Sequence, residues 1–157
     1  MRRLNKFLNL PSIDKHLLVE SVFLLGTVRL ALWLLPFKTL WRLLARVTQA
    51  TTNLPEVDQT FVDRTTWAVA VAGQCLPGAS CLAFSLVVQV MLARRGYAAC
   101  LRIGVIRSEE GRLGAHAWVE IQGRIVNLGL ADVSSFTPLP PLREEKHEWH
   151  RLHIPPR

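Results

Sequence analysis

Apolar residues recur at three- and four-residue steps through the first half of this chain and at near-alternate positions after Gly96, so helices are predicted first and strands afterwards. A first helix should open at Pro11-Ser12-Ile13-Asp14, with Ser12 as N-cap and Asp14 near the positive end of its dipole. It should run to about Leu35, where Pro36 ends it. An amphipathic helix is predicted over Phe37 to Thr48, with Leu40, Leu43, Leu44 and Val47 on one stripe and Lys38, Arg42 and Arg46 on a basic edge. After the break at Thr51-Thr52-Asn53-Leu54-Pro55 a third helix should cover about Glu56 to Gln74. A fourth, strongly apolar, should run from Cys81 to Arg95 and stop at Gly96.

Beyond Gly96 two strands are predicted, Ala99 to Ile106 and Ala115 to Ile121, separated by the polar turn Ser108-Glu109-Glu110-Gly111. Gln122-Gly123 reads as a tight hairpin connection into Arg124-Ile125-Val126-Asn127-Leu128. From Pro138 the chain is rich in proline and charge and is expected to be irregular. The fold class is α+β. The implied division is a helical region 1–54, a core 55–138 with a helix packed on a small antiparallel sheet, and a tail 139–157. No internal repeat is visible.

With 157 residues the chain suits one compact domain. Lys and Arg outnumber Asp and Glu by 19 to 12, a net charge of +7 that favours acidic partners without choosing among them. The three cysteines, Cys75, Cys81 and Cys100, have no disulfide-framework spacing, so a reducing, cytoplasmic setting is expected. No apolar run ends in a secretory cleavage site. The run Leu17 to Leu35 is long enough to span a bilayer, yet Glu20 and Arg29 interrupt it. A buried or interfacial helix fits better, with peripheral membrane contact at the inner face as the membrane alternative.

The candidate chemistry lies in Pro77-Gly78-Ala79-Ser80-Cys81 and Gly114-Ala115-His116-Ala117-Trp118-Val119-Glu120. A cysteine is activated by a helix N-terminus and an imidazole, and Cys81 follows a Pro-Gly loop where a helix begins with unpaired N–H groups. Those N–H groups can hold an oxyanion. Cys75 and Cys100 lack this setting and read as structural. Alternation puts His116, Trp118 and Glu120 on one strand face. If Gln122 and Gly123 are the turn, Ile121 pairs with Arg124 and His116 with Gly129, which leaves Asn127 one diagonal step from His116. Asn127 is then the geometric candidate for orienting the imidazole, with Asp132 the alternative if a bulge shifts the register. Trp118 reads equally as a water shield or as core packing. Gln74 reads as an oxyanion donor or as a helix-surface amide.

With Cys81, the His116-Ala117-Trp118-Val119-Glu120 strand, and the intervening Leu92-Ala93-Arg94-Arg95-Gly96 and Leu101-Arg102-Ile103-Gly104-Val105 segments, the chain resembles the transglutaminase-like leader peptidases of lasso-peptide biosynthesis. The likeness is strongest from Pro77 to Pro138 and looser through Leu34-Leu35-Pro36-Phe37. It implies a transglutaminase/papain-like cysteine protease that cuts the leader from a ribosomally made precursor peptide, with Cys81 as nucleophile and His116 as general base and then acid. The third position, usually acidic in such triads, falls on Asn127. The absence of a predicted strand-rich N-terminal module implies the split form. That form works with a separate leader-recognition protein and an asparagine-synthetase-like, macrolactam-forming cyclase.

No cofactor, metal or nucleic acid is called for. A zinc site is disfavoured because there is no C-x-x-C pair and His147, His150 and His153 lie in the tail. Two alternative functions remain: a transglutaminase-like acyltransferase, which differs only in its acceptor, and a non-enzymatic membrane-associated interaction protein.

Overall fold

The computed structural model describes residues 10–36, 39–40, 42–43, 56–76, 80–107, 111–126 and 133–140. Among them are three long helices, α1 (Ser12–Leu34), α2 (Gln59–Gly73) and α3 (Cys81–Ala93), and four strands. The strands are β1 (Ala99–Arg107), β2 (Leu113–Ile121), β3 (Arg124–Val126) and β4 (Thr137–Pro138). They form one antiparallel sheet in the order β3-β2-β1-β4. The expected α+β class is therefore borne out. Of the predicted helix over 37–48, only residues 39–40 and 42–43 are described, and these are helical.

α3 is the centre of the molecule. Nine of its thirteen residues are buried, which is what a helix apolar on all sides requires. One side of it rests on the sheet, where Ala99, Leu101, Ala117, Val119 and Ile121 join the core. α1 and α2 cover its other sides, through Leu17, Leu18, Leu25 and Val28 from α1 and Phe61, Val62, Val69 and Ala72 from α2. Two polar side chains of α3 tie it to the sheet. The Ser85 hydroxyl donates to the Ala117 carbonyl at 2.9 Å, and the Gln89 amide donates to the Ala99 carbonyl at 3.1 Å. The last turn closes at Gly96 (φ 86°), with the Tyr97 N–H bonded to Leu92 O at 3.1 Å, as predicted for an αL stop.

Two helix starts differ from the sequence reading. α1 has Pro11, not Ser12, in the N-cap position, and no side chain caps it. The Asp14 N–H bonds to the Pro11 carbonyl at 3.1 Å instead, so that amide needs no side-chain acceptor. Asp14 lies in the first turn as expected, and it is held by Arg64 of α2 at 3.2 Å. α2 begins at Gln59, three residues later than predicted, because the Asp58 side chain accepts from the Phe61 N–H at 3.2 Å. The hairpin keeps the predicted register: Ile121 faces Arg124, and Gln122 (φ 48°) and Gly123 (φ 77°) both have the positive φ of a type I′ turn.

Pro138, where an irregular tail was expected to begin, is the second residue of β4, and residues 141–157 lie outside the described residues. Gly104 pairs with Pro138 and Val105 with Thr137, and the Leu139 N–H reaches Ile103 O at 2.8 Å. A short 3-10 turn, Val133–Ser135, leads into that strand.

Candidate functional site

Cys81 is the first residue of α3. Its neighbour Ser80 is the N-cap, extended at φ −85° and ψ 158°, with its hydroxyl accepting from the Ala83 N–H at 3.3 Å. That bond satisfies the third amide of the helix. The helix itself offers no acceptor to the amides of Cys81 and Leu82, so a partial positive charge and two donors remain at the thiol's own position. Cys81 is a free thiol, half-buried against the core. The loop that delivers it, 77–79, lies outside the described residues.

The end of α2 is fitted against this helix start. A Cβ on Gly73 would collide with the tip of the Phe84 ring, so glycine gives that ring its place against the end of α2. Gln74, the next residue, is the exposed C-cap of α2. Cys75 and Cys100, read from sequence as structural, are both exposed free thiols.

His116 is half-buried in β2. Alternation places it with Trp118 and Glu120 on one face, as expected, while Ala117, Val119 and Ile121 turn toward α3. On the His116 face the ring of Phe136 lies 5.5 Å from the imidazole, centroid to centroid. A Cβ on Gly104, which faces His116 across the ladder, would come within 2.7 Å of Trp118 Cη2 and 3.0 Å of Phe136 Cβ. The Trp118 indole N–H donates to Glu120 at 3.1 Å, and Arg102 binds the second oxygen of the same carboxylate at 2.9 Å. Trp118 is thus a packed wall of this face, anchored at its polar end.

His116 lies on the face of β2 turned away from α3, so the structure does not bring its imidazole and the Cys81 thiol together. No hydrogen bond joins them among the described residues. What links their elements is the bond from Ser85, one helical turn after Cys81, to Ala117, one residue after His116. Residues 81, 85 and 89 form one stripe along α3, and the latter two both touch the sheet. β1 flanks β2 at His116 and Ala117 through Gly104 and Ile103, and on the other side the described part of β3 pairs only as far as Val119. Asn127 and Asp132, the candidates for the third member, lie outside the described residues, as do the tail histidines. No metal-binding group of His, Cys, Asp and Glu occurs among the described residues.

A cleft of about 1100 Å³ opens elsewhere, between α2 and the β2–β3 hairpin, lined by Val62, Asp63, Trp67, Ile121, Arg124 and Ile125 among others. It holds neither Cys81 nor His116. Ile121 lies five residues along β2 from His116, about 16 Å at strand spacing. A cleft without a nucleophile is a weaker candidate for covalent chemistry than a thiol at a helix N-terminus.

A model of the transglutaminase-like superfamily matches residues 27–140, which takes in α2, α3 and all four strands. Comparison with curated proteins and with solved structures found no match to either.

Proposed function

Because the chain belongs to the transglutaminase-like superfamily and has that superfamily's cysteine protease/acyltransferase-type fold, we propose that it is a cysteine hydrolase in which Cys81 is the nucleophile and His116 the proton carrier. The observation that carries this reading is Cys81 as the first residue of a Ser80-capped, buried helix, itself bonded through Ser85 to the strand of His116.

In the proposed reaction His116 takes the proton of the Cys81 thiol, and the sulfur attacks the substrate's carbonyl carbon. The Cys81 and Leu82 amides receive the developing oxyanion. His116 then protonates the departing amine, and a thioester remains. Water, deprotonated by His116, releases the acid and restores the thiol. For this step the His116 ring must reach the thiol from the face of β2 opposite α3. Asn127 or Asp132 would orient the ring. No cofactor takes part in this chemistry.

The finer reading is removal of the leader from a lasso-peptide precursor in the cytoplasm, with a separate leader-recognition protein and a macrolactam-forming cyclase as partners. The joint pattern of the Cys81 segment and His116-Ala117-Trp118-Val119-Glu120 supports it.

An electrophilic peptide offers a direct test, because Cys75 and Cys100 are more exposed than Cys81. Activated chemistry predicts modification of Cys81 first, against the order of exposure, as mapped by mass spectrometry. Incubation with the precursor and the leader-recognition protein should yield the free leader, and Cys81→Ala should abolish it. Wild-type turnover by Cys81→Ala would end the proposal. If an added amine, not water, captures the acyl group, the enzyme is an acyltransferase and the leader peptidase reading fails.

A further inference from the structure

α1 has two apolar sides, and the fold uses only one. Leu17, Leu18, Ser21, Leu25 and Val28 face the other helices. The opposite side carries Val19, Val22, Phe23, Leu30, Trp33 and Leu34, all exposed, with Phe23 72% and Trp33 81% accessible. They stand at three- and four-residue steps in two groups joined across Gly26 and Thr27, so they make one stripe along the helix. A contiguous apolar face of this kind marks an interaction surface.

The charges around the stripe identify its partner. The helix has two carboxylates, and both are drawn to the protein side: Asp14 pairs with Arg64 at 3.2 Å and Glu20 with Arg94 at 2.7 Å. The outward face therefore carries no acidic group. Of its polar members, Thr27 donates its hydroxyl to Phe23 O at 2.9 Å and so needs no water. Lys15 and Arg29 stand within the helix, and the flanking sequence is basic, with Arg2, Arg3 and Lys6 before it and Lys38, Arg42 and Arg46 after it.

We propose that this outward face of α1 docks on a membrane surface rich in anionic lipid. The helix lies along the surface, with Phe23, Leu30 and Trp33 inserted at the headgroup–acyl boundary and lysine and arginine against the phosphates. Its hydropathy and 23 residues suffice for a span by length and composition. Crossing the bilayer would, however, strip Leu17, Leu25 and Val28 from the core and break both ion pairs. The inference is independent of the catalytic reading, and Cys81→Ala should bind membranes like wild type.

Flotation of the full chain with vesicles tests it. Wild type should float with phosphatidylglycerol-containing vesicles, less with pure phosphatidylcholine, and less again as salt is raised. Phe23→Ser and Trp33→Ser should each lower partitioning about tenfold. Both residues are mostly exposed, so thermal melting should be unchanged. Should either variant misfold, a second measurement decides: brominated acyl chains should quench wild-type fluorescence, and Trp33→Phe should remove that quenching. Three outcomes would overturn the proposal: wild type that stays unfloated with anionic vesicles, quenching unaltered by Trp33→Phe, or a lipid-independent dimer that Phe23→Ser dissolves.

Discussion

Ser85→Ala is the perturbation that most directly tests how α3 is registered on the strand of His116. Ser85 is 1% exposed, and its hydroxyl is the donor to Ala117 O at 2.9 Å. Removing it deletes one neutral hydrogen bond and leaves a buried carbonyl short of a donor, a cost of about 1–3 kcal/mol. For a chain of this size each kcal/mol lowers Tm by about 2–4 °C, so a fall of about 2–12 °C is expected. Activity should respond through position. Cys81 lies one turn before Ser85, and a misplacement on the order of 1 Å at reacting atoms costs about a hundredfold in rate. In the proposed cysteine chemistry, turnover should show kcat reduced about 10–100-fold with KM little changed, because the substituted side chain is buried away from substrate. Denaturant melts and single-turnover cleavage, followed by mass spectrometry, measure the two effects separately. If stability and kcat both match wild type, the Ser85–Ala117 bond does not hold the site.

Thr65 supplies the converse experiment. Its hydroxyl is buried and has no partner among the described residues, so Thr65→Val should raise stability by about 1 kcal/mol, read from a denaturant midpoint. Gly104→Ala should destabilise by about 1–3 kcal/mol, because its methyl would press on Trp118 and Phe136. It should also slow cleavage, since Phe136 packs against His116, and a parallel melt and activity assay would show both. Gln122→Gly should stabilise the hairpin by about 1 kcal/mol, seen as a higher Tm, because Gln122 sits at φ 48° where a side chain is strained.

Features carried by neighbouring residues were legible in the sequence. The hairpin register follows from Gln122-Gly123, the end of α3 from Gly96, and the burial of α3 from its uniformly apolar composition. Features that depend on distant partners were not. The Asp58 N–H is held by the Tyr97 hydroxyl at 3.3 Å, a partner 39 residues away in the chain. The pairing of Thr137 and Pro138 with β1 leaves no local trace, because two residues carry no periodicity and proline argues against a strand. The exposure of Cys75, in the turn after α2, and of Cys100, on β1, depends on what covers them, a matter of packing and not of pattern. At the site, alternation correctly grouped His116 with Trp118 and Glu120, but it could not say which face α3 occupies.

The short strand β4 has a consequence for how copies of this protein coexist at high concentration. β1 is rich in β-branched and apolar residues, and bare along its outer side it would be a template for strand exchange between molecules. Thr137–Pro138 occupies that side opposite Gly104 and Val105. A two-residue strand containing an imino acid makes a poor foundation for another strand, so on this flank the sheet ends in a stopper that discourages fibril growth.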